Sequence, residues 1–221
     1  SFNLTPKETT VEQYINLKFA TEGEITYLHR RIFDSQFIFV MEVPPFEKRE
    51  YCDTYTLPRF SRLMNLGSHV HKRGTLFRTW LPPNEPCTPG PNCQPNPEEP
   101  VYTSFIYNDP LYLTFDESLP FNEEDPKTRT LKFCGVFDNG ADYPHLLKRR
   151  SQLPMGASPC HSSELRCVGG SNHNTLCGGD DSSCDSTPGA GDGLCDACVV
   201  RGGFTTEDEM FILLGSYYIE K

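Results

Sequence analysis

The sequence predicts an all-β fold: an antiparallel β-sandwich forming a single domain over residues 1-221, with a long disulfide-rich loop insertion at about 140-200. Three observations predict it. Short runs rich in Val, Ile, Phe, Tyr and Thr are divided by Pro, Asp and Gly turns, the punctuation of an antiparallel sandwich. Apolar residues almost nowhere recur at helical spacing. From Asp138 to Val200 apolar runs vanish, Gly, Ser, Asp and Cys dominate, and six of the ten cysteines gather. Such a stretch is held by disulfides rather than by a core.

Taken in order, Val11 to Ala20 alternates between polar and apolar residues and reads as a first strand. Asn3-Leu4-Thr5 before it is a loop, and a glycan acceptor only in a source that glycosylates. Tyr27 to Ile32 is ambiguous, with His29 read as a surface or core histidine. Ser35 to Val43 is apolar enough for a buried strand and is stopped by Pro44-Pro45. Phe46 to Glu50 reads as a solvated loop, and Cys52 to Thr56 as a strand ending at Pro58. Leu63 to Leu66 and Thr75 to Leu81 are strand-like, with Met64 facing the core and Trp80 packing at a strand end. Pro82 to Pro100 is a long loop pinned by a local bridge between Cys87 and Cys93. Val101 to Tyr107, Leu111 to Phe115, Thr128 to Phe137 and Phe211 to Ile219 complete the strands.

Composition bounds the function. The chain is long enough to bury a sizeable core. Its net charge of -10 argues against nucleic acid and against anionic membrane surfaces, and no apolar run approaches the ~20 residues of a membrane span. The even set of Cys52, Cys87, Cys93, Cys134, Cys160, Cys167, Cys177, Cys184, Cys195 and Cys198 implies disulfides and an oxidising compartment, hence a secreted, periplasmic or cell-surface protein. The start at Ser1, without Met or a signal-like segment, fits a mature or trimmed product and equally a fragment.

The chemistry centres on Gly67-Ser68-His69-Val70-His71-Lys72-Arg73-Gly74. On a strand, side chains at i and i+2 leave the same face, so His69 and His71 present two imidazoles side by side, a pairing suited to a d-block metal. Met210 ends an acidic, hydroxyl-rich turn just before a strand, and a thioether as third ligand selects copper(I) over zinc. Two further patterns lie in the insertion. Asp180, Asp181, Asp185, Asp192 and Asp196 offer hard oxygens suited to calcium, though not at EF-hand spacing; solvated loop charge is the alternative. Cys195-Asp196-Ala197-Cys198 has redox or half-zinc spacing, but no βαβ context surrounds it, and a structural disulfide role is the better reading.

A resemblance adds to this. Tyr51-Cys52 through Leu57-Pro58 to Ser68–Gly74, then Phe133-Cys134-Gly135-Val136-Phe137-Asp138-Asn139, then Gly202-Gly203 through Asp208-Glu209-Met210, then Tyr217-Tyr218, resemble four blocks of the C-terminal domain of the copper type II, ascorbate-dependent monooxygenases. These are the peptidylglycine alpha-hydroxylating and dopamine beta-hydroxylating enzymes. The resemblance implies a jelly-roll sandwich, copper held by His69, His71 and Met210, dioxygen activation, a small organic substrate and ascorbate as reductant. Two departures stand out. The family pairs the cysteine matching Cys134 with a Cys directly after the copper Met; that position is Phe211 here, so Cys134 needs another partner. The family's second copper sits on three histidines, two of them adjacent, in another domain. This chain has no His-His pair, and His29, His145, His161 and His173 show no ligand spacing. The expected function is therefore half of a two-copper hydroxylase, an enzyme only together with a second copper domain or partner chain. Non-catalytic copper capture or delivery, and a structural extracellular role, are the alternatives.

Overall fold

The structure, a computed structural model, describes residues 14–185 and 193–220. The Asn3-Leu4-Thr5 motif, the first part of the strand expected at 11–20, and Asp192 lie outside the described residues. In chain order the strands are β1 (His29–Asp34), β2 (Glu42–Val43), β3 (Lys48–Thr56), β4 (Ser61–Val70), β5 (Gly74–Trp80), β6 (Tyr102–Ser104), β7 (Tyr112–Phe121), β8 (Thr130–Asp138), β9 (Arg166–Val168), β10 (Leu194–Ala197), β11 (Val200–Arg201) and β12 (Phe211–Ile219). No helix among the described residues is long and apolar enough to cross a membrane.

Two four-stranded antiparallel sheets build the sandwich, ordered β1-β12-β4-β7 and β3-β8-β5-β6. The order is compatible with a jelly roll. Period-2 alternation decides which residues meet between the sheets. β12 turns Phe211, Leu213 and Tyr217 inward, β4 turns Leu63, Leu66 and Val70, and β8 turns Leu131, Phe133 and Phe137. Each such side chain contributes about 1.5–3 kcal/mol on burial. Phe133 and Phe211 approach with ring centroids 5.1 Å apart, and Phe137 meets Phe211 edge-on at 5.9 Å. A side chain at position 135 would fall 2.9 Å from the Phe137 ring and 3.0 Å from Phe211, which is why glycine interrupts the apolar run of β8.

Cys134 finds its partner directly across the ladder: Cys52 on β3 is its register mate, and the two are bonded. Trp80 and the Cys87–Cys93 bridge cover this disulfide, so the expected local bridge and strand-end tryptophan both occur. Residue 90 pairs with Cys52 through two backbone hydrogen bonds of 3.0 and 3.3 Å, laying the 82–100 loop against β3.

Four expectations fail. Residues 14–20 carry no strand, and Ile15, Leu17 and Phe19 are exposed. Ser35 to Val43 is not one strand. Its first part is a turn in which Ile38 and Met41 are buried while Phe39 and Val40 stay exposed, a pattern of neither period; β1 takes up Tyr27–Ile32 territory instead. Lys48 to Glu50, read as loop, begins β3, because main-chain pairing with β8 from Lys48↔Asp138 onward outweighs the polarity of the side chains. Met64 is half-buried, not in the core: it sits at the register shift between Leu63 and Asn65 and lines an outer cleft with Glu24, His29 and Tyr218.

The insertion has its own small core of Leu165 and cystines, tied by Cys160–Cys198, Cys167–Cys184 and Cys177–Cys195. Asn139 fastens it to the sandwich. Its Nδ2 donates to the carbonyls of Val43 (3.0 Å) and Cys198 (2.9 Å), and its Oδ1 accepts from Lys148 N at 2.8 Å. Five disulfides suit an oxidising, extracytoplasmic environment.

Candidate metal centre

β4 and β12 run antiparallel with Val70 opposite Phe211 and His69 opposite Ile212. Val70 and Phe211 are buried in the core, so His69 lies on the other face of the sheet. The register ends at that Val70–Phe211 pair, and the next residues outward are His71, just past β4, and Met210, just before β12. Alternation brings His69, His71 and Met210 onto one face at the end of two hydrogen-bonded strands. The two imidazoles meet edge to face, with centroids 5.1 Å apart. Nδ1 of His71 is buried and has no hydrogen-bond partner.

One carboxylate sets this end of the ladder. Glu209 is fully buried. Its Oε1 accepts from the backbone N–H of His71 and, at 2.9 Å, from that of Met210, while Oε2 accepts from Arg73 N at 2.9 Å. Burial pushes Glu209 up to about 7, against those N–H donors and the Arg73 charge.

Around it the charged side chains of the loop are engaged with one another. Arg73, itself wholly buried, and Lys72 each reach Glu207 at 2.7 Å. Lys148 approaches Asp208 at 3.3 Å. Burial would raise Asp208, but donors from Ser158, with Thr205 and Lys148, hold it below the usual carboxylate range. Each of the three cations thus meets a carboxylate, Lys72 and Arg73 sharing Glu207, the condition under which buried ions are tolerated.

Burial lowers the basicity of His69, and lowers that of His71 with help from the His69 charge, although the carbonyls of Asp208 and Thr205 pull the other way. Both imidazoles are therefore biased to the neutral form that binds metal.

The remaining histidines are dispersed. His29 lines the Met64 cleft, His145 stacks edgewise on Tyr143 and His173 on Phe46, and His161 precedes a short 3-10 turn. The acidic residues of the insertion serve backbone donors. Asp180 caps Ser182 N, Asp181 accepts from Cys195 N, Asp185 from Ser171 N and Gly193 N, and Asp196 from Ser151. They do not gather around a common point among the described residues. The groups that do gather, Cys167 with Cys177 and Cys184, and Glu50 with Cys52 and Cys134, have their sulfurs committed to disulfides and offer no thiolate. Cys195 and Cys198 bond to different partners, Cys177 and Cys160, so their spacing serves structure.

Sequence reasoning missed Glu209, Arg73 and Lys148. The adjacency of Lys72-Arg73 to His69 and His71 and of Glu207-Asp208-Glu209 to Met210 was a usable signal of charge complementarity. No protein-family model matches the chain, and no match is found among curated proteins.

Proposed function

We propose that this chain is an extracytoplasmic copper-binding domain, the dioxygen-activating half of a two-copper, ascorbate-dependent monooxygenase, with His69, His71 and Met210 as ligands. The observation that carries the reading is the buried, unpartnered Nδ1 of His71 beside a second imidazole, which shares its hollow with the Met210 thioether. A buried nitrogen without a partner is costly, and a metal ion relieves it. The donor set of two neutral imidazoles and one soft sulfur fits copper(I). Copper held there would supply single-electron chemistry and an open position for dioxygen.

The chain's own residues do the rest. His69, on β4, and His71, just past its end, present their lone pairs side by side. Met210 biases the site toward the reduced ion. Glu209 locks the backbone of two ligands in register. Ascorbate is the reductant on this reading, a small organic molecule the substrate, and the second copper comes from another domain or chain. The proposed location is secreted, periplasmic or cell-surface, a reading the five disulfides support.

A second reading, copper capture or delivery without catalysis, is favoured by the dispersal of His29, His145, His161 and His173, which gives the described residues no second histidine cluster. Both readings require the same site. Titration with copper(I) under a competing chelator should give one tightly held equivalent, lost in a His69→Ala, His71→Ala double variant. Retention of that equivalent with unchanged affinity would sink both.

A further inference from the structure

The outer face of an antiparallel sheet is ordinarily polar. Here, next to the metal ligands, it is not. Phe33 of β1, Ile212 and Leu214 of β12, and His69 and Met210 floor a cavity of about 400 Å³. Ile38 and Phe39 from the turn after β1, and Phe204 from the loop before β12, wall it, and Ser35 is the one hydroxyl. Phe33, Phe39 and Phe204 stand 63%, 68% and 68% exposed. Three solvated rings around one hollow are costly unless something apolar enters it.

The walls are held in place. Phe39 and Phe204 meet edge to face with centroids 5.8 Å apart. A side chain on Gly202 would lie 1.3 Å from the Ile38 carbonyl oxygen, so the turn seats directly on the backbone of the loop that carries Phe204. Both walls thus rest on the segment that leads into Met210 and β12.

We propose that this bowl binds an uncharged aromatic or branched apolar molecule of one or two rings. None of its nine lining residues is an acid, Lys or Arg. The nearby charges of Lys72, Arg73, Lys148, Glu207 and Asp208 are paired with one another, so no free cation awaits a carboxylate and no free carboxylate awaits an ammonium group. The net charge of -10 further disfavours anions. The volume lies near the small end of ligand pockets. The size and polarity of the bowl stand without copper; that its occupant is the substrate rests on the copper reading above.

The neutral fluorophore N-phenyl-1-naphthylamine, titrated into metal-free and copper(I)-loaded protein, tests this, with indole, phenylacetate and phenethylammonium as competitors. Indole should displace the probe at concentrations at least ten-fold below those needed for either charged competitor. A Phe39→Ala, Phe204→Ala double variant, whose changes lie at exposed positions and leave the core intact, should bind the probe at least ten-fold more weakly and copper(I) as before. Equal displacement by phenylacetate or phenethylammonium, or unchanged probe affinity in the double variant, would overturn the inference. Probe binding without copper binding removes the copper reading and leaves this one; copper binding without probe binding does the reverse.

Discussion

Asp53 is a buried carboxyl group on β3, on the same face as Tyr51, and burial pushes it up to about 7 against the Thr54 N–H, with the Asp34 charge nearby adding to the rise. Unfolded, an aspartate titrates at about 3.9. The folded value is raised, so the protonated group stabilises the fold below the unfolded value. That stability is lost as pH rises through the folded value, between roughly pH 4 and 7. At about 1.4 kcal/mol per unit, the loss is on the order of 2–4 kcal/mol. Asn at position 53 keeps an oxygen for Thr54 and cannot ionise. Urea unfolding at pH 5 and pH 8 should show the parent losing stability across this interval and Asp53→Asn losing less. Glu209 titrates in the same direction and remains in both proteins, so the difference between them isolates Asp53; equal losses would clear it of the effect.

At the scale of elements, the chain divides its labour between ladders and cystines. β4 and β12 are held by nine register pairs and an aromatic core, whereas the insertion has Leu165 and three disulfides. Its cystine cluster is separate from the main core, so it can open without the sandwich opening. Replacing Cys177 and Cys195 by Ser should speed backbone amide exchange over 160–198 while protection in β4, β8 and β12 stays as in the parent. Global loss of protection would show that the cystines support the sandwich as well. Asn139 and the Lys148–Asp208 pair are the contacts through which such a coupling would run.

For the whole molecule, electron count sets the expectation. Hydroxylation by dioxygen draws two electrons from a reductant, and one copper ion cycling between +1 and +2 holds one. All ten cysteines are paired in disulfides, so no thiol supplies the other. Copper-loaded protein given ascorbate, dioxygen and a panel of uncharged arenes, with catalase present, should therefore bind copper but not sustain turnover by itself. Multiple turnovers that disappear in Met210→Ala would reveal another redox centre in the chain.

The sequence by itself determined short apolar runs bounded by turn residues, such as Phe211–Ile219, because Phe, Ile and Tyr at that density fit a pleated, buried surface. It also determined the His69/His71 spacing, the Cys87–Cys93 loop and the disulfide-dependent insertion, since each rests on local pattern or composition. Tertiary structure alone decided the rest. Cys52 is the partner of Cys134 because β3 and β8 share a register 82 residues apart, a distance no local pattern spans. Ser35 to Val43 bends because its apolar side chains divide between the core and a hollow beside the histidines, and a run of apolar residues does not say which surface each will meet. Glu209, 138 residues from His71, clamps it to Met210 because the fold leaves three backbone N–H groups turned toward one buried carboxylate, and only the folded chain makes such a group worth burying.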